Sequence, residues 1–262
     1  MTRATPNALE PRGVIEDPWS ELRRFSPARI ALGRSGSSLP TRQLLEFGLA
    51  HAHARDAVHA SLAADTILAQ LAALDLSCVE VRSAARDRAH YLLRPDLGRS
   101  LSAEGLAALE RHANGHPGGC DLALVVADGL SALAVERNAV DLCAQILRQA
   151  PAGWRIGPVV LAHQARVALG DACGHLLGAR MVAVLIGERP GLSTPDSLGV
   201  YLTHAPRPDL TDADRNCISN IHRHGLTPAQ AAGKLWWLAG EARRIGQTGV
   251  GLKDTSDAPQ LA

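Results

Sequence analysis

The chain reads as an α/β protein with a doubly wound, mostly parallel sheet, and three observations predict this. Apolar runs such as DLALVVADG (121–129), IGPVVLA (156–162) and MVAVLIG (181–187) are continuous rather than alternating, as strands buried on both faces are. Helical patterns separate them, Ala132 to Gln149 and Asp171 to Leu177, and strands alternating with helices require crossover connections that lay helices on the sheet. The runs also end in polar or Gly-rich punctuation, where open α/β sheets meet their ligands.

The elements follow in order. Pro6, Pro11, Pro18 and Pro27 among charges mark the first residues as an arm, with a short helical stretch around Trp19 to Phe25. GRSGSSLPT (33–41) is a loop feeding a helix, with Thr41 as candidate N-cap ahead of Leu44, Leu45 and Leu49 and an end near Leu62. CVEVR (78–82) alternates as a strand, and Leu101 to His112 is helical. After the three buried runs and their helices, GVYLTH (199–204) is a further strand. The last helix is the best signalled. Thr227, Pro228 and Gln230 form a capping box with Pro at the first position, and Ala231, Leu235, Leu238, Ala242 and Ile245 share a stripe. Trp236 covers the core edge, Gly246 and Gly249 supply the stop, and the VGL that follows is expected to close the sheet. The predicted class is therefore α/β, Rossmann-like and doubly wound, with an N-terminal helical region. The expected domains are 1–105, arm and helical region, and 106–262, the ligand-binding α/β domain.

Composition narrows the function. With 262 residues, 46% hydrophobic, the chain can bury a proper core, and with 3% aromatics that core is aliphatic. A formal charge of +1, from 27 basic and 26 acidic residues, gives no electrostatic ground for a nucleic-acid or anionic-membrane partner. No run approaches a bilayer span of about 18 apolar residues, and the N-terminus has no apolar signal region, so a cytoplasmic location is expected. Cys78, Cys120, Cys143, Cys173 and Cys217 are odd in number and widely spaced, which suits reduced thiols better than disulfides or a zinc site.

Three strand ends are candidates for one crevice: Asp128-Gly129-Leu130-Ser131, the segment before Val167, and Gly187-Glu188-Arg189-Pro190-Gly191. Each alone makes a turn as readily as a site; their shared place in the topology is what joins them. No G-x-G-x-x-G follows a strand and no G-x-x-x-x-G-K-[ST] is present, which disfavours nicotinamide and nucleotide-triphosphate chemistry. In HAHARDAVH, Arg55 sits between His51 and His59 on one helix face and opposes a cation there. His222 and His224 read as loop residues. Cys217 in DADRNCISN stands among carboxylates, which raise a thiol pKa, and reads as a buried small residue rather than a nucleophile. The residues alone describe a ligand-binding domain without its own catalytic set.

Six ordered blocks, IALGRSGSSLPTRQLLEFGLAHAHARDAVH, YLLRPDLGRSL, LVVADGLSALAVE, GARMVAVLIGERPGL, SLGVYLTH and DRNCISNIH, running from about Arg29 to Leu252, resemble the small (light) subunit family of adenosylcobalamin-dependent ethanolamine ammonia-lyase. The resemblance implies radical deamination of ethanolamine to acetaldehyde and ammonia, with adenosylcobalamin (coenzyme B12) as the source of the radical. It implies a large (heavy) subunit that carries the catalytic residues, a hetero-oligomer, and cobalamin enclosed between the two chains. It assigns this chain no catalytic residue and no metal ligand. The family's cobalamin contacts fall on Val167 in QARVALGD, Glu188 in GERPGL and Cys217 in DRNCISN. Some members enter a bacterial microcompartment through a longer amphipathic N-terminus that this proline-spaced arm lacks. The alternative is a cobalamin-binding or structural subunit that does not support turnover.

Overall fold

The computed structural model describes residues 13–256. Two compact units divide between Ala54 and Arg55. In the first, Ile15 and Arg34 exchange backbone hydrogen bonds of 2.7 and 2.9 Å, and the expected helical stretch is a 3₁₀ turn, Ser20–Phe25. The helix α1 (Thr41–His59) crosses the division and stops three residues before the expected Leu62. The stretch from Arg55 to Gly105, which the sequence pattern assigned to the N-terminal region, lies in the second unit.

That unit holds one six-stranded sheet of β1 (Cys78–Arg82), β2 (Cys120–Ala127), β3 (Ile156–His163), β4 (Ala179–Gly187), β5 (Leu198–His204) and β6 (Arg215–Ile221), in the order β1-β3-β2-β4-β5-β6. The pairs from β1 to β4 are parallel; β5 and β6 add on antiparallel, so the sheet is mostly parallel. The helices are α2 (Ala64–Ala72), α3 (Arg88–Leu93), α4 (Ala103–Gly115), α5 (Ala132–Arg148), α6 (Leu169–Leu176) and α7 (Pro228–Ile245). The 105/106 boundary expected from sequence falls inside α4.

The apolar runs are continuous because both faces are covered. Leu122, Leu124 and Val126 of β2, with Met181, Ala183 and Leu185 of β4, pack in a core with residues of α2, α5 and α7. Ala123, Val125 and Ala127, with Val182, Val184 and Ile186, face a second core with Leu109 of α4 and Leu169 and Cys173 of α6. The same alternation carries onto β5, where Leu198, Val200 and Leu202 enter the first core and Tyr201 borders the second.

The end of the chain follows its signals closely. Thr227 accepts from Gln230 N at 3.3 Å while Gln230 Oε1 accepts from Thr227 N at 3.0 Å, and Gly246 stops α7 at φ 77°. Trp236 is buried, its indole N–H donating to Ile146 O at 2.9 Å. The VGL segment does not close the sheet: Gly249–Gly251 is a 3₁₀ turn. The outer strand on the antiparallel side is β6, and the Asn216 side-chain amide, bonded to Leu252 O at 2.8 Å and to Gly249 N at 2.8 Å, ties the turn beside it.

Candidate functional site

The carboxyl ends of β2, β3 and β4 meet at a cleft of about 230 Å³. Its walls include Gly129 and Leu130 after β2, Arg166 and Val167 after β3, and Gly187, Glu188 and Arg189 at the end of β4, so all three punctuated strand ends contribute. Tyr91 of α3 and Tyr201 of β5, the only two tyrosines in the chain, complete it.

The cleft exists because the β2 and β4 ends approach closely. Leu130 N donates to Gly187 O at 2.9 Å, and a Cβ on Gly129, which sits at φ 54°, would fall 2.3 Å from that oxygen. Only glycine tolerates both the left-handed backbone and the contact. Asp128, one residue earlier, is buried and stitches β2 to the next loop: its carboxylate accepts from Gln164 N at 2.9 Å and Ala165 N at 3.1 Å. Gln164 is itself held at φ 52°, a strained setting for a non-glycine, so the Asp128 bonds hold the loop that presents Arg166 and Val167. Burial pushes the Asp128 carboxyl above its ordinary range, against those N–H donors and Arg88. What reads as an ordinary Asp-Gly turn is a buried brace.

Arg88 reinforces the brace from α3. Its guanidinium donates to Gly129 O at 2.8 Å and Val58 O at 2.6 Å and lies 3.8 Å from Asp128 Oδ2. Tyr91 is fully buried, donates to Ala165 O at 3.1 Å, and has its hydroxyl pushed up to about 12 by burial.

Glu188 is half-buried just past β4. Its backbone N–H donates to Ser197 O at 2.9 Å, while its Oε2 accepts from Ser197 Oγ at 2.5 Å and from Asn220 N at 3.4 Å. Oε1 has no hydrogen-bond donor among the described residues, and the absent side chain of Gly199, whose Cβ would stand 2.9 Å away, makes its room. An oriented carboxylate with one oxygen to spare is an acceptor for a hydroxyl or amide.

Val167 and Glu188 thus share one cleft. Cys217 stands beside it on β6, in register with Tyr201 of β5. Cys217 is exposed, not buried as its sequence setting suggested: its side chain alternates away from Ile218, which enters the core. Desolvation by the atoms packed around the thiol and the negative charge of Glu188 raise its pKa, which outweighs the lowering influence of Tyr201. A depressed thiol, which a Cys217 nucleophile requires, is the opposite of this. Arg88, Tyr91, Ser197 and Tyr201 escaped sequence reasoning; the one signal was that tyrosine is rare here.

These features define an α/β protein with a cleft at the carboxyl ends of its parallel strands that offers a carboxylate and main-chain groups, with an exposed thiol beside it. A model of the "Ethanolamine ammonia-lyase light chain (EutC)" family matches residues 16–253. A relative from Ralstonia nicotianae named ethanolamine ammonia-lyase small subunit is 56% identical over 252 residues, 96% of this chain and 93% of the relative. Proteins of the same name from Pseudomonas syringae pv. tomato and Pseudomonas putida (strain W619) are each 54% identical, over 100% and 92% of this chain and 91% and 89% of their own. The chain belongs to the EutC family, the light chains of ethanolamine ammonia-lyase, a carbon–nitrogen lyase. The name small subunit implies a large one.

Proposed function

We propose that this chain binds adenosylcobalamin at an interface with a large catalytic subunit, and that the hetero-oligomer deaminates ethanolamine to acetaldehyde and ammonia. The observation that carries the reading is the convergence of Val167 and Glu188 in one cleft, with Cys217 flanking it across Tyr201. The donor and acceptor set suits the group. A corrin bears amide side chains and its nucleotide a ribose, all able to donate to the spare Glu188 oxygen or bond the main chain near Val167. The size also suits: sites that enclose drug-sized ligands run to about 300–1,000 Å³, so a cleft of about 230 Å³ grips part of a cobalamin and leaves the remainder for a partner chain to cover. When bound, the cofactor supplies the radical that initiates the deamination. This chain's residues bind and orient it: Glu188 accepts, Tyr201 and Cys217 border the acceptor, and Asp128 keeps the Val167 loop in place.

The Rossmann-like description of the sheet belongs to the same reading, as does a cobalamin-binding region within 106–262, which includes Val167, Glu188 and Cys217. No helix among the described residues is long and apolar enough to cross a membrane. We assign the complex to the cytoplasm, with a bacterial microcompartment as the second location to examine.

The test is co-expression with a large subunit, followed by acetaldehyde release from ethanolamine with and without adenosylcobalamin. Cofactor-dependent release is expected; a complex that binds cobalamin without turnover would instead support the non-catalytic alternative. Glu188→Ala is expected to weaken cobalamin retention about tenfold, the scale of one lost hydrogen bond to a charged group, with the circular dichroism of the small subunit unchanged. Unaltered retention removes Glu188 from the site.

A further inference from the structure

The cleft contains a guanidinium, that of Arg166, with no ion pair among the described residues. Arg88 and Arg166 both lie over the Tyr91 ring, their guanidinium carbons 4.9 and 4.4 Å from its centroid. Arg88 has Asp128 and two backbone carbonyls as partners. Arg166 lines the cleft, and its Nε is buried with no hydrogen-bond partner among the described residues. The carboxylate in the cleft, Glu188, directs its bonded oxygen to Ser197 and Asn220 instead. The lining therefore carries two cations, Arg166 and Arg189, against one carboxylate, Glu188.

A buried guanidinium N–H without an acceptor is costly, and charge enlarges the cost. Stacking on Tyr91 meets the face of the guanidinium and leaves its in-plane donors free. Those donors form a planar fork suited to two oxygens of a phosphate. We infer that Arg166 is a phosphate-binding residue of the cleft, and that the phosphate is the phosphodiester joining the nucleotide tail of a bound cobalamin to its corrin. The inference rests on the proposed cobalamin site and deepens it: Glu188 takes donors of the ligand, Arg166 its anion, and Tyr91 lies against the guanidinium at the cleft wall. Val167 follows Arg166 directly, so one loop, braced by Asp128, delivers both contacts.

The test uses the complex of large and small subunits and follows binding through the visible corrin spectrum, with cobalamin, cobinamide phosphate and cobinamide as probes. Wild type, Arg166→Gln, Arg166→Lys and, as a surface-charge control, Arg94→Ala are compared. R166Q is expected to weaken cobalamin and cobinamide phosphate by about 10- to 100-fold, the range for a charge-assisted hydrogen bond, and to leave cobinamide unchanged. R166K recovers part of the loss, and R94A binds all three as wild type does. Equal loss on cobinamide, no loss on any probe, or loss on cobalamin with cobinamide phosphate spared would each overturn the inference. If the wild-type complex binds no cobalamin, the proposed function fails first and the inference with it; if it does and R166Q matches it, only the inference fails.

Discussion

Asp128→Asn is the sharpest probe of how the cleft is built. Asp128 receives two backbone N–H groups, from Gln164 at 2.9 Å and Ala165 at 3.1 Å, one on each oxygen. An asparagine has one oxygen, so in either orientation its NH₂ confronts a buried donor. One stranded N–H costs about 1–3 kcal/mol. Arg88 also loses the carboxylate 3.8 Å away, which stays below the about 3–5 kcal/mol of a fully broken buried pair because Gly129 O and Val58 O still accept from it. Against these, asparagine spares the burial of a carboxylate whose pKa burial already raises. The balance is a loss of about 2–4 kcal/mol, or about 5–10 °C in Tm for a unit of this size. Urea denaturation measures the first and calorimetry the second, while hydrogen exchange at 164–167 is expected to accelerate more than in α7. A change below about 0.5 kcal/mol, the usual effect of a surface substitution, would refute the account of Asp128 as a brace.

Three further outcomes are expected. Burial raises both tyrosines, Tyr91 to about 12, so their contribution to stability is complete below the unfolded pKa of about 10 and is lost as pH rises through the folded values; phenolate absorbance at 295 nm that is half complete near pH 10 in the native protein would contradict this. Cys217 is the exposed cysteine, yet its raised pKa predicts iodoacetamide labelling that is slow at pH 7 and climbs beyond about pH 8.5, with bound cobalamin protecting it; rapid labelling at pH 7 would revive a nucleophile. Arg215 is buried and pairs with buried Asp171 and with Asp212; Arg215→Met strands Asp171 and is expected to cost about 3–5 kcal/mol in urea denaturation, and a variant as stable as wild type would show that the pair is dispensable.

Much of the fold was legible because its signals are local. The runs at 121–129, 156–162 and 181–187 are two-faced strands, and Thr227, Pro228 and Gln230 cap α7 through contacts three residues apart. The segments β6, α2 and α3 were not legible. RNCISNI has its polar residues in adjacent pairs, with Ile218 and Ile221 three apart, so it lacks the strand alternation, and it lies at the sheet's rim, where β propensity is weakest as a guide because pairing decides it. VGL has strand-like residues, but the space beside β6 is taken by a turn tied to Asn216.

By itself, then, the sequence determined the α/β class, the cap and stop of the last helix, the strand ends that line the cleft, and the family. Tertiary structure alone decided which long-range groups meet: that Asp128 braces residues 164 and 165, that both tyrosines enter one cleft, that Cys217 faces outward, and that Arg166 lines the same cleft as Glu188 with its Nε unpartnered among the described residues. The physical reason is range. Periodicity and capping act within a few residues and leave their mark in the string, whereas burial, hydrogen-bond pairing and charge balance depend on neighbours that only the packed sheet brings together.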